Sequence, residues 1–184
     1  MRWVANGTAR VISWRSPWGE LPVLLMNGRI RAIALDPRAS TFMAEPTRDQ
    51  QPAGPIRTSA EVSRLLRRAL AGQAPAREIL AACDLTSATQ FERRVYTALS
   101  KVRRGSVVSY GALAAVAGSP RAARAVGSAL GKNPIPILLP CHRVVASNGI
   151  GGYGGSADRG WRPAGQDPIR FKRALLASEG VLIR

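Results

Sequence analysis

The sequence predicts an α/β unit at the amino terminus, a small antiparallel sheet with a helix, joined to an α-rich unit built around a helix-turn-helix. Short apolar or alternating runs separated by turn residues fill the first third of the chain. A capping-box tetrapeptide, Thr89-Gln90-Phe91-Glu92, then opens a region whose apolar residues recur at helical spacing. Beyond it, two short helical stretches flank a Gly-Ser-Pro turn. With 184 residues, 46% of them hydrophobic, the chain can bury a real core as one compact domain or two small ones, and disorder is excluded.

Strands are expected at residues 9–14, 21–26 and 30–35. Asn27-Gly28 accommodates positive φ at both positions of a two-residue turn, so residues 21–35 read as a hairpin. Pro, Asp, Thr and Gln dissolve the pattern over 36–57, an exposed connection. Thr58 or Ser59 then caps a helix whose Val62, Leu65, Leu66, Ala69 and Leu70 keep a helical period until Gly72. Residues 73–88 read as a junction. The helix from Thr89 carries Phe91, Val95, Leu99 and Val102 on one stripe, with Arg93, Arg94, Lys101, Arg103 and Arg104 around it. A short helix over 110–117 follows, then a turn at Gly118-Ser119. The second helix has Ser119 as N-cap and Pro120 as its first residue, and stops at Gly131 with Pro134 beyond.

The net charge of +16 points to a polyanion, and it is uneven: residues 1–90 carry +5 and residues 91–184 carry +11. Of the 27 cations, 24 are arginine, which fits phosphate or base recognition through the guanidinium fork as well as a GC-rich coding sequence. Arg121 and Arg124 stand on the second helix among Ala122, Ala123, Ala125 and Gly127, side chains small enough to let a helix backbone approach a groove. Helix-turn-helix geometry also occurs in proteins that never touch DNA. Together with the charge bias it makes DNA the expected partner.

Two cysteines, Cys83 and Cys141, and one histidine, His142, cannot build a four-ligand zinc site or a disulfide framework, so no metal or organic cofactor is expected. A reducing compartment fits. With no apolar stretch of signal-peptide or membrane-span length, the chain reads as soluble and cytoplasmic. A cysteine in apolar surroundings is usually an inert thiol, and adjacent Cys and His side chains need not face each other. Here Cys141-His142 lies between Pro140 and Arg143 and precedes the glycine-rich residues 147–155. A thiolate is a strong nucleophile, histidine can take its proton, and a glycine loop admits a substrate close to the backbone.

Over residues 91–179 the chain resembles the O6-alkylguanine-DNA alkyltransferases, through VSYGALA, ARAVG, NPIPILLPCHRVV, the Gly/Tyr loop and KRALLASEG, in that order. SPWGELPVLLMNGRIRAIAL is similar to that family's first strands. The resemblance implies a ribonuclease-H-like α/β domain over residues 1–85 and a winged helix-turn-helix domain with the active-site cysteine over 89–184. It implies a monomer acting on duplex DNA that carries O6-alkylguanine, with cooperative binding along the duplex left open. The alkyl group moves from O6 of guanine, or from O4 of thymine as a related position, to the protein's own cysteine after base flipping. By the same resemblance Cys141 is acceptor, His142 the water-mediated base, Glu179 its orienting carboxylate and Asn133 a brace. Tyr110 lies beside the flipped base. Arg124 is the finger that fills the space left in the stack, Ala123 and Ala125 line the minor groove, and Ser119, Arg121 and Gly127 complete the DNA-binding set. The product would be a thioether, which water does not cleave, so one transfer per molecule is expected.

The sequence departs from the family pattern between Gly152 and Lys172, where the link is longer and richer in Arg and Pro, and Tyr153 comes one place early relative to Cys141. Tyr153, Gly154 and Gly155 are nevertheless assigned to the substrate pocket. Three other readings stay open on residues alone: a lesion sensor, against which Cys141 argues; a winged-helix regulator, which leaves Cys141-His142 unexplained; and a Cys-His-Glu hydrolase, which would turn over.

Overall fold

The computed structural model describes residues 9–35, 58–154 and 167–183. Asn27 and Gly28 take φ of 50° and 73°, the left-handed values that a tight two-residue turn requires, and the predicted hairpin forms around them. Strand β2 (Gly19–Met26) pairs antiparallel with β1 (Ala9–Ser16) in register Ala9↔Met26 to Ser16↔Gly19, and with β3 (Arg29–Ile33) across a bulge at Leu24/Leu25. The sheet order is β1-β2-β3.

Helix α1 (Ser59–Leu70) starts at a complete capping box: Glu61 N–H donates to Thr58 Oγ1 (3.2 Å), and Thr58 N–H donates to Glu61 Oε2 (2.7 Å). Its buried stripe is Val62, Leu65, Leu66 and Ala69, as the periodicity predicts. The junction at 73–88 is more ordered than expected, because it contains helix α2 (Ala76–Ala82). Pro75 supplies no side-chain cap and the helix buries only Ile79 and Ala82, too little pattern to announce a helix. After α2 the chain returns to the sheet. Asp84 N–H donates to Ile30 O (2.8 Å), and Asp84 receives Arg31 Nη1 at 2.8 Å in a nearly buried ion pair.

Thr89 and Glu92 form the second predicted capping box, opening α3 (Gln90–Leu99). The helix ends sooner than the stripe through Val102 suggests. A two-residue strand, β4 (Val108–Ser109), pairs in parallel with β5 (Val144–Val145), and α4 (Tyr110–Val116) begins at once, with Ser109 as its N-cap. Helix α5 (Ala123–Gly131) packs on α4 and α3, but it does not start at Pro120. Ser119 O instead accepts Ala122 N–H (2.9 Å) in a turn, so the Ser-Pro signal is satisfied there and the N-cap is Ala122, with no side-chain bond. A 3₁₀ turn (Cys141–Arg143) leads into β5, and α6 (Pro168–Ser178) is capped by Asp167.

Buried side chains run in one continuous cluster from Ile12 in β1 to Leu175 in α6. Trp14, 1% exposed, lies inside it, and Trp18 meets Phe171 edge-on at 5.4 Å. Both tryptophans serve packing. Ile33 N–H donates to Pro134 O (2.9 Å), tying the sheet to the segment that runs into Cys141. Within the described residues no helix is long and apolar enough to cross a membrane.

Candidate active site

The β4–β5 ladder places Tyr110, just after β4, beside Cys141, just before β5. Together with Gly127, Leu130, Gly131, Gly152, Tyr153 and Gly154 they line a cavity of about 330 Å³, the scale of a small-ligand pocket. Gly127 is packed so closely that an added Cβ would lie 3.7 Å from the Tyr110 ring. Of the residues read as DNA contacts, it is the one that lines the pocket.

Cys141 is 5% exposed and opens the 3₁₀ turn. Asn133, buried at 2%, donates from Nδ2 to Cys141 Sγ (3.2 Å) and to Leu139 O (2.9 Å), while its Oδ1 accepts Ile135 N–H (3.1 Å). One amide thus folds the 133–141 segment around itself and aims an N–H at the sulfur. The buried Tyr153 hydroxyl lies close enough to the same sulfur for the two to influence each other's ionisation. Burial pushes the Cys141 thiol up, opposed by the Asn133 bond and the nearby Lys172 charge. Burial likewise raises both Tyr110 and Tyr153.

His142 points its Nε2 at Glu179 Oε1 (3.0 Å). A neutral ring bonded this way carries its proton on Nε2, which leaves Nδ1 as acceptor. Nδ1 is buried with no protein partner among the described residues. Burial lowers the basicity of His142 and Glu179 partly restores it. Glu179 is itself a hub. Arg143 donates to it from Nε (3.0 Å to Oε2) and Nη2 (2.8 Å to Oε1), and Gly105 N–H donates to Oε2 (3.2 Å). Although burial raises the Glu179 carboxyl, the His142 and Arg143 hydrogen bonds outweigh it and bring its pKa to about 2.

That shift carries a stability prediction. The folded value lies below the ordinary 4.5, so the stabilisation is complete above pH 4.5 and drains as the pH falls toward about 2. Urea melts are expected to show a lower midpoint at pH 3 than at pH 5, and Glu179→Gln should flatten part of the difference. Equal slopes in the two proteins would count against a depressed Glu179.

Three supporting residues were not legible as site residues in the sequence. Arg143 reads as one more cation, Gly105 as a turn, and Lys172 as part of the KRALL run. Yet Lys172 is 0% exposed and donates to the carbonyls of Val144 (2.6 Å), Ile150 (2.7 Å) and Gly152 (3.0 Å). Burial lowers it to about 8, with Cys141 pulling the other way. Gly152 O also accepts the Tyr110 hydroxyl (3.1 Å), so one carbonyl joins the glycine loop to α4 and α6. A lysine stem aimed inward could have been found from its place on the buried stripe with Phe171, Leu175 and Leu176.

The remaining assigned residues lie around the pocket's helix. Arg124 and Ala125 on α5 are exposed, Ala123 is half-buried, and Arg121 and Ser119 sit in the connection before α5, exposed and half-buried respectively. Gly155 falls outside the described residues, as do Ser156 and most of the long link. Among the described residues no group of three or more His, Cys, Asp or Glu could hold a metal ion.

A family profile described as 6-O-methylguanine DNA methyltransferase, DNA binding domain, matches residues 90–181, half of the chain and all of this site. The chain belongs to that methyltransferase family. It is 50% identical over 98 residues to the methylated-DNA–protein-cysteine methyltransferase of Cricetulus griseus, a match over 51% of this chain and 41% of that one. With the Thermococcus sibiricus protein of the same name it shares 40% over 123 residues, 66% of this chain and 62% of that one. The chain spans about half the length of these relatives. Solved structures extend the likeness. The Pyrococcus kodakaraensis O6-methylguanine-DNA methyltransferase superposes with a TM-score of 0.62 at 28% identity, over 93% of this chain and 98% of that one. Mycobacterium tuberculosis OGT in complex with DNA gives 0.62 at 31% identity, over 94% and 92%. The small antiparallel sheet with helices is therefore the architecture of this methyltransferase family.

Proposed function

We propose that the protein repairs O6-alkylguanine in duplex DNA by moving the alkyl group to Cys141 Sγ, once per molecule. The observation that carries this is the Cys141 thiol in the wall of a base-sized cavity, hydrogen-bonded by Asn133 and adjoining a buried His142–Glu179 pair, in a chain of this family. The thiol proton passes toward His142 Nδ1 through an intervening water. Sulfur attacks the alkyl carbon as the carbon–O6 bond breaks, and the electron pair goes to the purine. Tyr110 donates to the departing ring where charge develops. The thioether is not hydrolysed, so the molecule is consumed.

In this reading residues 1–85 form a ribonuclease-H-like domain and 89–184 a winged helix-turn-helix domain, with α4 and α5 as its two helices. Helix α5 enters the minor groove. Ala123 and Ala125 face the duplex, Ser119 and Arg121 flank it, and Arg124 takes the place of the extruded nucleotide. Tyr153 and Gly154, with Gly155 beyond them, wall the alkyl pocket. Arg124→Ala is expected to slow repair of duplex lesions about 10- to 100-fold, the loss of a few kcal/mol of flipping energy. Reaction with the free O6-benzylguanine base should stay near the parental rate. An equal loss on both substrates would place Arg124 in the chemistry instead of the flipping.

The reading is tested by intact and peptide mass spectrometry after incubation with excess duplex carrying one O6-methylguanine. One methyl group on Cys141, guanine restored and the reaction halting at one equivalent is the expected result. Binding with no mass gain would replace this reading with that of a lesion sensor, and turnover beyond one equivalent would refute it.

A further inference from the structure

Arg104 lies outside the pocket and has no role in the transfer just described, yet it joins the ends of two helices. Its Nε donates to Leu70 O (2.9 Å), the last residue of α1, and its Nη2 donates to Ser178 O, the last residue of α6. Terminal carbonyls of a helix lack intrahelical donors and carry the negative end of its dipole, which suits a guanidinium. The contact with α1 is a close one. Gly72, at φ +73°, lies against the Arg104 stem, and a Cβ there would meet Arg104 Cβ at 3.0 Å.

The residue after Ser178 is Glu179. Gly105, next to Arg104, donates its N–H to the Glu179 carboxylate (3.2 Å), and Val102 O accepts Nη1 of Arg143 (2.7 Å), the same Arg143 that grips Glu179. Residues 102–105 thus hold Glu179 by the backbone before it, by its carboxylate and through its arginine partner. We propose that Arg104 is a positioning residue for the His142–Glu179 pair, through which the end of α1, in the amino-terminal part of the chain, keeps that carboxylate on the histidine ring. The proposal rests on the alkyl-transfer reading above.

The charged groups facing His142 are Glu179, Arg143 and Lys172, and those facing Glu179 are His142 and Arg143. If Glu179 drifts, His142 loses the partner that supports its basicity, while both cations remain. Because His142 must be neutral to take the thiol proton, the pH at which transfer reaches half its maximum should then fall, with a lower plateau from the weaker base.

The test uses the full chain with Arg104→Met, which keeps the stem without the donors, and Arg104→Lys, which can reach one carbonyl. Single-turnover transfer from O6-methylguanine duplex is followed across pH at saturating DNA, with rates scaled to the fraction of molecules that can be alkylated. Arg104→Met is expected to lower the plateau rate about 3- to 10-fold and to lower the midpoint by about half a pH unit, with Arg104→Lys in between. An unchanged midpoint overturns the proposal, whether the rate falls or not, and so does a loss confined to DNA affinity, which would make Arg104 a phosphate contact. Should Arg104→Met fail to fold, Arg104→Lys decides alone: a lowered midpoint supports the role and a parental one ends it. Failure here leaves parental alkylation of Cys141 intact, whereas failure of the underlying reading would appear as a parental protein that gains no alkyl group.

Discussion

Cys141→Ala is expected to bind O6-methylguanine duplex about as well as the parental protein and to transfer nothing measurable, a fall of at least about a thousandfold. Removing Sγ deletes the atom that forms the new bond, and no neighbour replaces it: Asn133 meets the sulfur through an amide N–H, which is no nucleophile, and His142 is not among the residues that line the cavity. The fold should survive. Asn133 keeps its bonds to Leu139 and Ile135, and the lost volume is a single sulfur, a cost on the order of 1 kcal/mol. Gel-shift affinity and intact mass, measured on the same preparation, check both halves. Methyl groups found on this variant would identify another acceptor, with the buried Cys83 the first to examine.

Glu179→Gln should give the second largest effect, and it separates two contributions that the geometry combines. The amide fills the same space and can still accept from His142, but Arg143 loses the charge that answers its guanidinium, which is nearly buried with a side-chain exposure of 8%. An unanswered buried cation costs roughly 3–5 kcal/mol, so the melting temperature should drop clearly. Transfer per folded molecule should fall about 100-fold, the range in which proton-transfer partners act. The loss should be largest at neutral and higher pH and should shrink at low pH, where the parental His142 protonates first, because Glu179 is the group that supports its basicity. A variant that melts early but transfers at the parental rate when held cold would assign Glu179 to the fold alone.

The parts of the molecule legible in sequence are those whose signal is local. Asn27-Gly28 names its turn, and Thr58 and Thr89 each name a helix start through a carboxylate three residues on. The pairing of Cys141 with Asn133 and Tyr110 came from motif resemblance, and the pocket brings Cys141, Tyr110, Tyr153 and Gly154 together. What stayed hidden is set by distance along the chain. Arg143 and Glu179 are 36 positions apart and Arg104 and Ser178 are 74 apart, and no periodicity links such pairs before the chain has folded. The late start of α5 was hidden for the opposite reason, since Ser119-Pro120 is a sound cap signal that a local turn uses first.

The burial of Cys141 has a consequence for how long the molecule stays usable. Oxidants and stray electrophiles attack exposed thiolates, and this sulfur is 5% exposed and held toward its protonated form by its surroundings. An enzyme that turns over can lose a fraction of its copies to peroxide and make up the difference with time. A protein that acts once has no such recourse, and each sulfur oxidised in advance is a lesion left standing. In the proposed single-transfer role, enclosure that slows the thiol in its resting state works as a preservative, keeping that one reaction in reserve until a damaged base fills the pocket.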